Sequence, residues 1–293
     1  MMLKRRRLAQ LIAALFLFNP RSVASAYAKG VGAQMTLLTV PLGVTGNWGA
    51  SQPGAAATVL SRMREVCLSG LKLLSDQQPV AIRVEDHSSG SPAIWLHDDR
   101  TQMAWIIVDI GGRDWCKLAY QFGHELGHVL CNSWGPASKP QQPCQWLEEA
   151  MVEAFSIRGL ALLAASWAKD PPFAGDAAFA GAIRQYRENT IANYKKAGAP
   201  ALEADIRVWF GKSRNALEHS AGLGEAEGPA ILAILAAMER DGSCVEDLGA
   251  VNRWPARSGV PLEGYLRLWE ASCVQIGAPG RLPIRLRTLF NVS

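Results

Sequence analysis

Residues 124 to 128 read His-Glu-Leu-Gly-His. On a helix, His124 and His128 project from one face, where two neutral imidazoles can share a metal ion. Glu125 lies one position round, within reach of a water on that ion. Zinc held by imidazole nitrogen polarises carbonyls and acidifies water, and a nearby carboxylate can take the proton that hydrolysis releases. His124 and His128 are therefore candidate zinc ligands, and Glu125 is the candidate general base.

Chemistry of this kind needs a rigid helix and a third ligand. Ahead of the motif, Asp114 can cap a helix in which Trp115, Leu118, Ala119, Phe122, Leu126, Val129 and Leu130 keep near-helical spacing. No proline interrupts this stretch, so the motif is expected on a helix packed against a core. Behind it, Pro143 to Phe155 reads as a second helix with Glu148, Glu149 and Glu153 near its start. That segment can supply the third ligand.

With these residues the chain resembles the gluzincins, zinc metallopeptidases whose HExxH helix is followed by a glutamate ligand on the next helix. The resemblance rests on His124, Glu125 and His128, and on Trp146-Leu147-Glu148-Glu149-Ala150, which is similar to the family's W-L-x-E-G/A stretch. It covers roughly residues 114 to 156 and aligns Glu149 with the family's glutamate ligand, twenty residues separating it from His128. Glu148 is the competing ligand. Glu149 is preferred because Glu153 then falls one turn later on the same face, where it can accept the second N–H of a ligating histidine and fix its tautomer. A metzincin would need Gly at 131 and His at 134, where the chain has Cys131 and Trp134. The G-x-M-E-N segment of zinc aminopeptidases does not occur, so that specificity is not implied.

The N-terminus bears on where such an enzyme would work. Lys4-Arg5-Arg6-Arg7 precede an apolar run from Leu8 to Phe18, and Ala24-Ser25-Ala26 or Ala26-Tyr27-Ala28 offers small residues for cleavage. The run is too short to span a bilayer. Residues 1–28 are expected to be a signal peptide, with periplasmic or secreted localisation and no stable membrane anchor after cleavage. Five basic residues and no acidic one precede position 29, so the net charge of +4 becomes −1 beyond it. Nothing in that balance calls for nucleic acid.

Six cysteines in an exported chain suggest disulfides, and no C-x-x-C pair is present. Cys116 and Cys131 would stand about 22 Å apart on one helix and cannot pair. Cys131 and Cys144 are the expected local bridge, which on the loop-entropy account would contribute about 3 kcal/mol. Proximity then matches Cys67 with Cys116 and Cys244 with Cys273.

Upstream of the motif the pattern predicts a strand at 35–40, a helix at 55–74, a strand around Val80, Ile82 and Val84, and strands at 93–96 and 103–110 joined by a turn at Asp98-Asp99-Arg100. The order resembles the upper part of zinc metallopeptidases, where an edge strand beside the active helix receives extended substrate. Met103 to Ile110 is the candidate for that strand. Beyond Pro171-Pro172 the chain is alanine-rich and helical in pattern. The expectation is an α+β, zincin-like fold: a small twisted sheet with an active-site helix in residues 29–170, then a mostly helical C-terminal subdomain at 171–293. His219, Tyr186, Tyr194 and Tyr265 are candidates to support an oxyanion, whereas His87 and His97 are expected to be solvated. The implied function is a Zn2+-dependent metallopeptidase acting on peptide or protein substrates. The alternative is a non-catalytic zincin-fold binding or assembly factor, but a purely structural zinc site needs no general base such as Glu125.

Overall fold

A computed structural model of the chain describes residues 37–46, 48, 53–87, 91–97, 102–110, 114–196, 203–220 and 222–292. The expected signal peptide, the start of the 35–40 strand and the turn at 98–100 lie outside them. The order is β1 (Leu42–Gly46), α1 (Pro53–Leu68), β2 (Ala81–Asp86), β3 (Ala93–Ile94), β4 (Met103–Val108), α2 (Trp115–Leu130) and α3 (Gln145–Lys169). There follow α4 (Ala180–Lys196), α5 (Glu203–Glu218), α6 (Gly228–Arg240), a 3-10 stretch at Gly242–Ala250, α7 (Leu262–Ile276) and α8 (Arg281–Phe290). This is an α+β architecture. The described residues of both expected parts, 29–170 and 171–293, belong to one compact unit.

The strands form one mixed sheet in the order β1-β2-β4-β3, with β1, β2 and β4 parallel and β3 antiparallel to β4. Alternation explains its buried side: Ile82 and Val84 of β2 and Ala104 and Ile106 of β4 sit in register and are essentially inaccessible. The opposite side carries Arg83 stacked over Trp105, at 4.1 Å from the ring centre. Against expectation, 103–110 is not an edge. The chain passes from β2 to β3 and turns back into β4, so β4 pairs on both sides and, among the described residues, β3 and β1 are the two edges.

Two other elements shift from their predicted bounds. The first strand begins after Pro41, because residues 37–40 make turns whose Leu37 and Val40 carbonyls accept from the Arg64 guanidinium at 3.4 and 2.7 Å. Helix α1 stops at Leu68, six residues early, where Gly70 takes φ +76, a backbone shape that glycine enters without penalty.

Asp114 caps α2 as predicted, accepting the Lys117 N–H at 2.9 Å. Leu118, Ala119, Phe122, Leu126, Val129 and Leu130 are buried beneath it, whereas Trp115 is only half-buried. Helix α3 is the centre of the molecule, packing against α1 and α2 on one side and α4 and α6 on the other. Surrounded in this way, it is buried nearly all round.

Glycines set how closely α2 meets α3. A Cβ on Gly127 would stand 2.7 Å from Val152 Cβ, and one on Gly123 would stand 2.6 Å from Met63 Cε and 2.9 Å from Ser156 Oγ. Ser156 Oγ also donates to the Tyr120 carbonyl at 2.6 Å, pinning the two backbones.

None of the expected disulfides forms, and all six cysteines are buried free thiols. Each is committed to its own surroundings. Cys67 lies against Met63 and beneath Gly159, Cys144 donates to the Val260 carbonyl at 3.2 Å, and Cys273 contacts Asp247.

Candidate metal centre

The close approach of α2 and α3 brings three side chains to one point. Glu149 Oε2 lies 3.3 Å from His124 Nε2 and 3.6 Å from His128 Nε2. The three candidate ligand atoms are within 4.8 Å of one another. Tetrahedral zinc with nitrogen and oxygen ligands at its usual bond lengths sets ligand atoms about 3.3 Å apart. The donor set therefore fits zinc, and all three side chains line a cleft of about 220 Å³.

One wall of that cleft is the edge of the sheet, Pro92, Ala93, Ile94 and Leu96; the other is Ser133, Ser138 and Pro140 from the chain between α2 and α3. Glu125 lines the same cleft, is 3% exposed and takes no part in the His–His–Glu cluster. The Ile94 backbone N–H reaches its carboxylate. Burial raises the Glu125 pKa, with the Glu149 charge adding to the rise and the two imidazoles opposing it.

The far sides of both rings are tied down. His124 Nδ1–H donates to Glu153 Oε2 at 2.9 Å, and His128 Nδ1–H donates to Glu148 Oε1 at 2.8 Å. With the proton held at Nδ1, each ring in its neutral form presents Nε2 to the cleft as a ligand atom. Glu148 thus lies behind the His128 ring, outside the His124–His128–Glu149 cluster. It does for His128 what Glu153 does for His124.

Both outer carboxylates are held in turn. Glu153, fully buried, accepts from Tyr120 at 2.5 Å and Tyr194 at 2.9 Å on Oε1. Glu148 Oε2 accepts from Asn252 Nδ2 at 2.6 Å. Burial and the Glu153 charge push the Tyr120 and Tyr194 hydroxyls far up, so both remain donors.

Without a cation, the cluster resolves its charges internally. Burial disfavours a charged His124, but the Glu149 and Glu153 carboxylates outweigh it and carry its pKa to about 9. His128 is raised for the same reason by Glu148 and Glu149. Burial likewise works against the Glu149 charge, yet the two imidazoles hold it well below the carboxylate range.

None of the four oxyanion candidates lines the cleft. Tyr194 is spent on Glu153, and Tyr186 packs against Tyr120 at 5.6 Å. Tyr265 is fully buried, donating to Asn252 Oδ1 at 3.2 Å, and His219 is exposed with Nδ1 2.7 Å from the Asn215 carbonyl. His87 is exposed, as expected, whereas His97 is half-buried beside Trp105. Tyr120, Asn252, Ser133 and Ser138 are the residues sequence reasoning missed. Tyr120 had a signal, since it stands one turn before His124 on the same helix face.

No family model matches the chain, and comparisons with curated proteins and with solved structures give no match either.

Proposed function

We propose that the protein is an exported, zinc-dependent metallopeptidase with a zincin-like fold, allied to the gluzincins. One observation carries the reading: two imidazole nitrogens and one carboxylate oxygen converge within 4.8 Å of one another in a cleft that also holds a carboxylate outside the cluster. His124, His128 and Glu149 would hold the ion. Bound zinc would supply Lewis acidity, polarising a scissile carbonyl and acidifying water.

The chain's own residues account for the remaining roles. Glu125 accepts the proton of the attacking water as the C–O bond forms and returns it to the amide nitrogen as the C–N bond breaks. Burial raises its pKa, the direction that favours a carboxylate which must give a proton back as well as take one. A peptide is the substrate that best suits the cleft wall. Trp95 N–H donates inward to the Trp105 carbonyl at 2.8 Å, so by alternation Ile94 turns its main-chain groups away from β4, its N–H reaching Glu125 and its carbonyl lying on that same outer side. Such an edge can align an extended chain across the metal site. Export is supported by the basic and apolar pattern of residues 1–28, and it no longer draws support from disulfides.

Metal analysis of the purified protein, paired with hydrolysis of a mixed peptide library, tests the reading. One zinc per chain is expected, with cleavage that a chelator abolishes and added zinc restores. Zinc uptake without cleavage of any peptide would favour a binding or assembly role instead. No uptake at all would refute the metal site.

A further inference from the structure

The two histidines receive their outer support from parts of the chain remote in sequence, and among the described residues one of these supports rests on a single amide donor. We propose that Asn252 is a positioning residue for the metal centre: it acts on His128 through Glu148. The inference rests on the metal-binding reading above, but not on peptidase activity.

Glu148 is 4% exposed, and each carboxylate oxygen has a defined donor, His128 Nδ1–H on Oε1 and Asn252 Nδ2 on Oε2. Fixing both oxygens fixes the carboxylate plane, and with it the rotation and tautomer of the ring. Asn252 is itself 2% exposed and sits at φ +57, a left-handed conformation that asparagine tolerates better than most residues. Its amide can point only one way. Oδ1 accepts from Tyr265, while Nδ2 faces Glu148, Ser133 Oγ at 3.3 Å and the Cys131 carbonyl at 3.4 Å. A flipped amide would set its oxygen against a carboxylate and a carbonyl.

The backbone around Asn252 is held just as firmly. Arg257 donates to the Asn252 carbonyl at 3.0 Å, and Asn132, at the end of α2, donates to the Gly249 and Val251 carbonyls at 2.9 and 2.7 Å. The C-terminal part of the chain thus delivers one amide to the back of the metal site. By contrast, Glu153 has two phenol donors, so losing one still leaves it partnered.

The test measures zinc affinity of the full chain by competition with a chromophoric chelator, together with the visible spectrum of the cobalt-substituted protein. Asn252→Asp keeps the side-chain shape but opposes Glu148 with a second acid. Asn252→Gly removes the side chain while favouring the positive φ, and serves as the second variant should the first fail to fold. Each is expected to weaken zinc binding about ten- to a hundredfold and to alter the cobalt spectrum. In a Glu148→Gln background, Asn252→Gly should cost little further affinity, because the support it provides is already gone. Affinity within about twofold of wild type in either folded variant, or losses at Asn252 and Glu148 that simply add, would overturn the proposal. A wild-type chain that takes up neither zinc nor cobalt would refute the metal reading itself.

Discussion

The two sides of the histidine pair are built on different terms. Toward the cleft, two Nε2 atoms and one Glu149 oxygen face one another with no other protein partner within the cluster. Behind the rings, Glu148 and Glu153 are saturated by imidazole, phenol and amide donors. Buried polar groups are expected to be paired, and here that pairing is complete on the side that only has to hold still. The cleft side is where a cation has most to offer.

The sharpest way to break this contrast is at Glu149. Glu149→Gln should lower zinc affinity by more than about a hundredfold, beyond the range expected for an outer partner such as Glu148. Titration of both variants with zinc checks it, and a greater loss in Glu148→Gln would reverse the assignment of ligand and support.

Glu125→Gln should separate binding from chemistry on the cleft side. Zinc content and thermal unfolding should stay near wild type, while peptide hydrolysis falls at least about a hundredfold. Loss of the metal in this variant would mean that Glu125 belongs to the cluster after all.

Smaller effects probe the frame and the buried side. Gly127→Ala places a methyl 2.7 Å from Val152 Cβ, and overpacking of this kind costs about 1–3 kcal/mol, measurable by denaturant unfolding. Zinc affinity should fall with it, since Glu149 lies on the displaced helix. Tyr194→Phe should change zinc affinity by less than Asn252→Gly does, because Tyr120 still donates to Glu153.

A pH series sharpens the comparison without mutation. In the chelated protein the His124 pKa stands at about 9, above the usual value of 6.5. A raised histidine pKa stabilises the fold fully below the unfolded value, and this contribution is lost as pH rises through the folded one. Thermal stability of the metal-free chain should therefore decline between about pH 6.5 and 9. Metal affinity should rise over the same window, because ligation requires neutral imidazole.

How much of this was legible in the sequence follows the range of each interaction. Helical spacing alone grouped His124, Glu125 and His128, whereas Glu149 was joined to them by the resemblance of residues 146–150 to the gluzincin glutamate stretch. Glu153 was readable because one helical turn relates it to Glu149. Glu148 was seen only as a rival ligand, since which carboxylate faces which nitrogen depends on the roll of α3 against α2, and Gly123 and Gly127 set that packing. Asn252 had no local signal, lying 104 residues from the carboxylate it holds. The edge strand was misjudged for a similar reason. Composition makes 103–110 and 93–96 equally plausible strands, and only the order of pairing decides which one is left free. The cysteines misled because an even count says nothing about whether the sulfurs meet.

Those six thiols give the fold a built-in clock. Burial pushes Cys67 and Cys144 up to about 12, so at pH 8 about one molecule in ten thousand would carry either thiolate. Reaction with an alkylating reagent must then wait for the surrounding structure to open, and its rate reads how often each region does so. Cys131 ends α2 and Cys144 precedes α3, whereas Cys273 lies in α7. Labelling rates at these three positions, with and without zinc, would map how far occupation of the site slows the breathing of the whole chain.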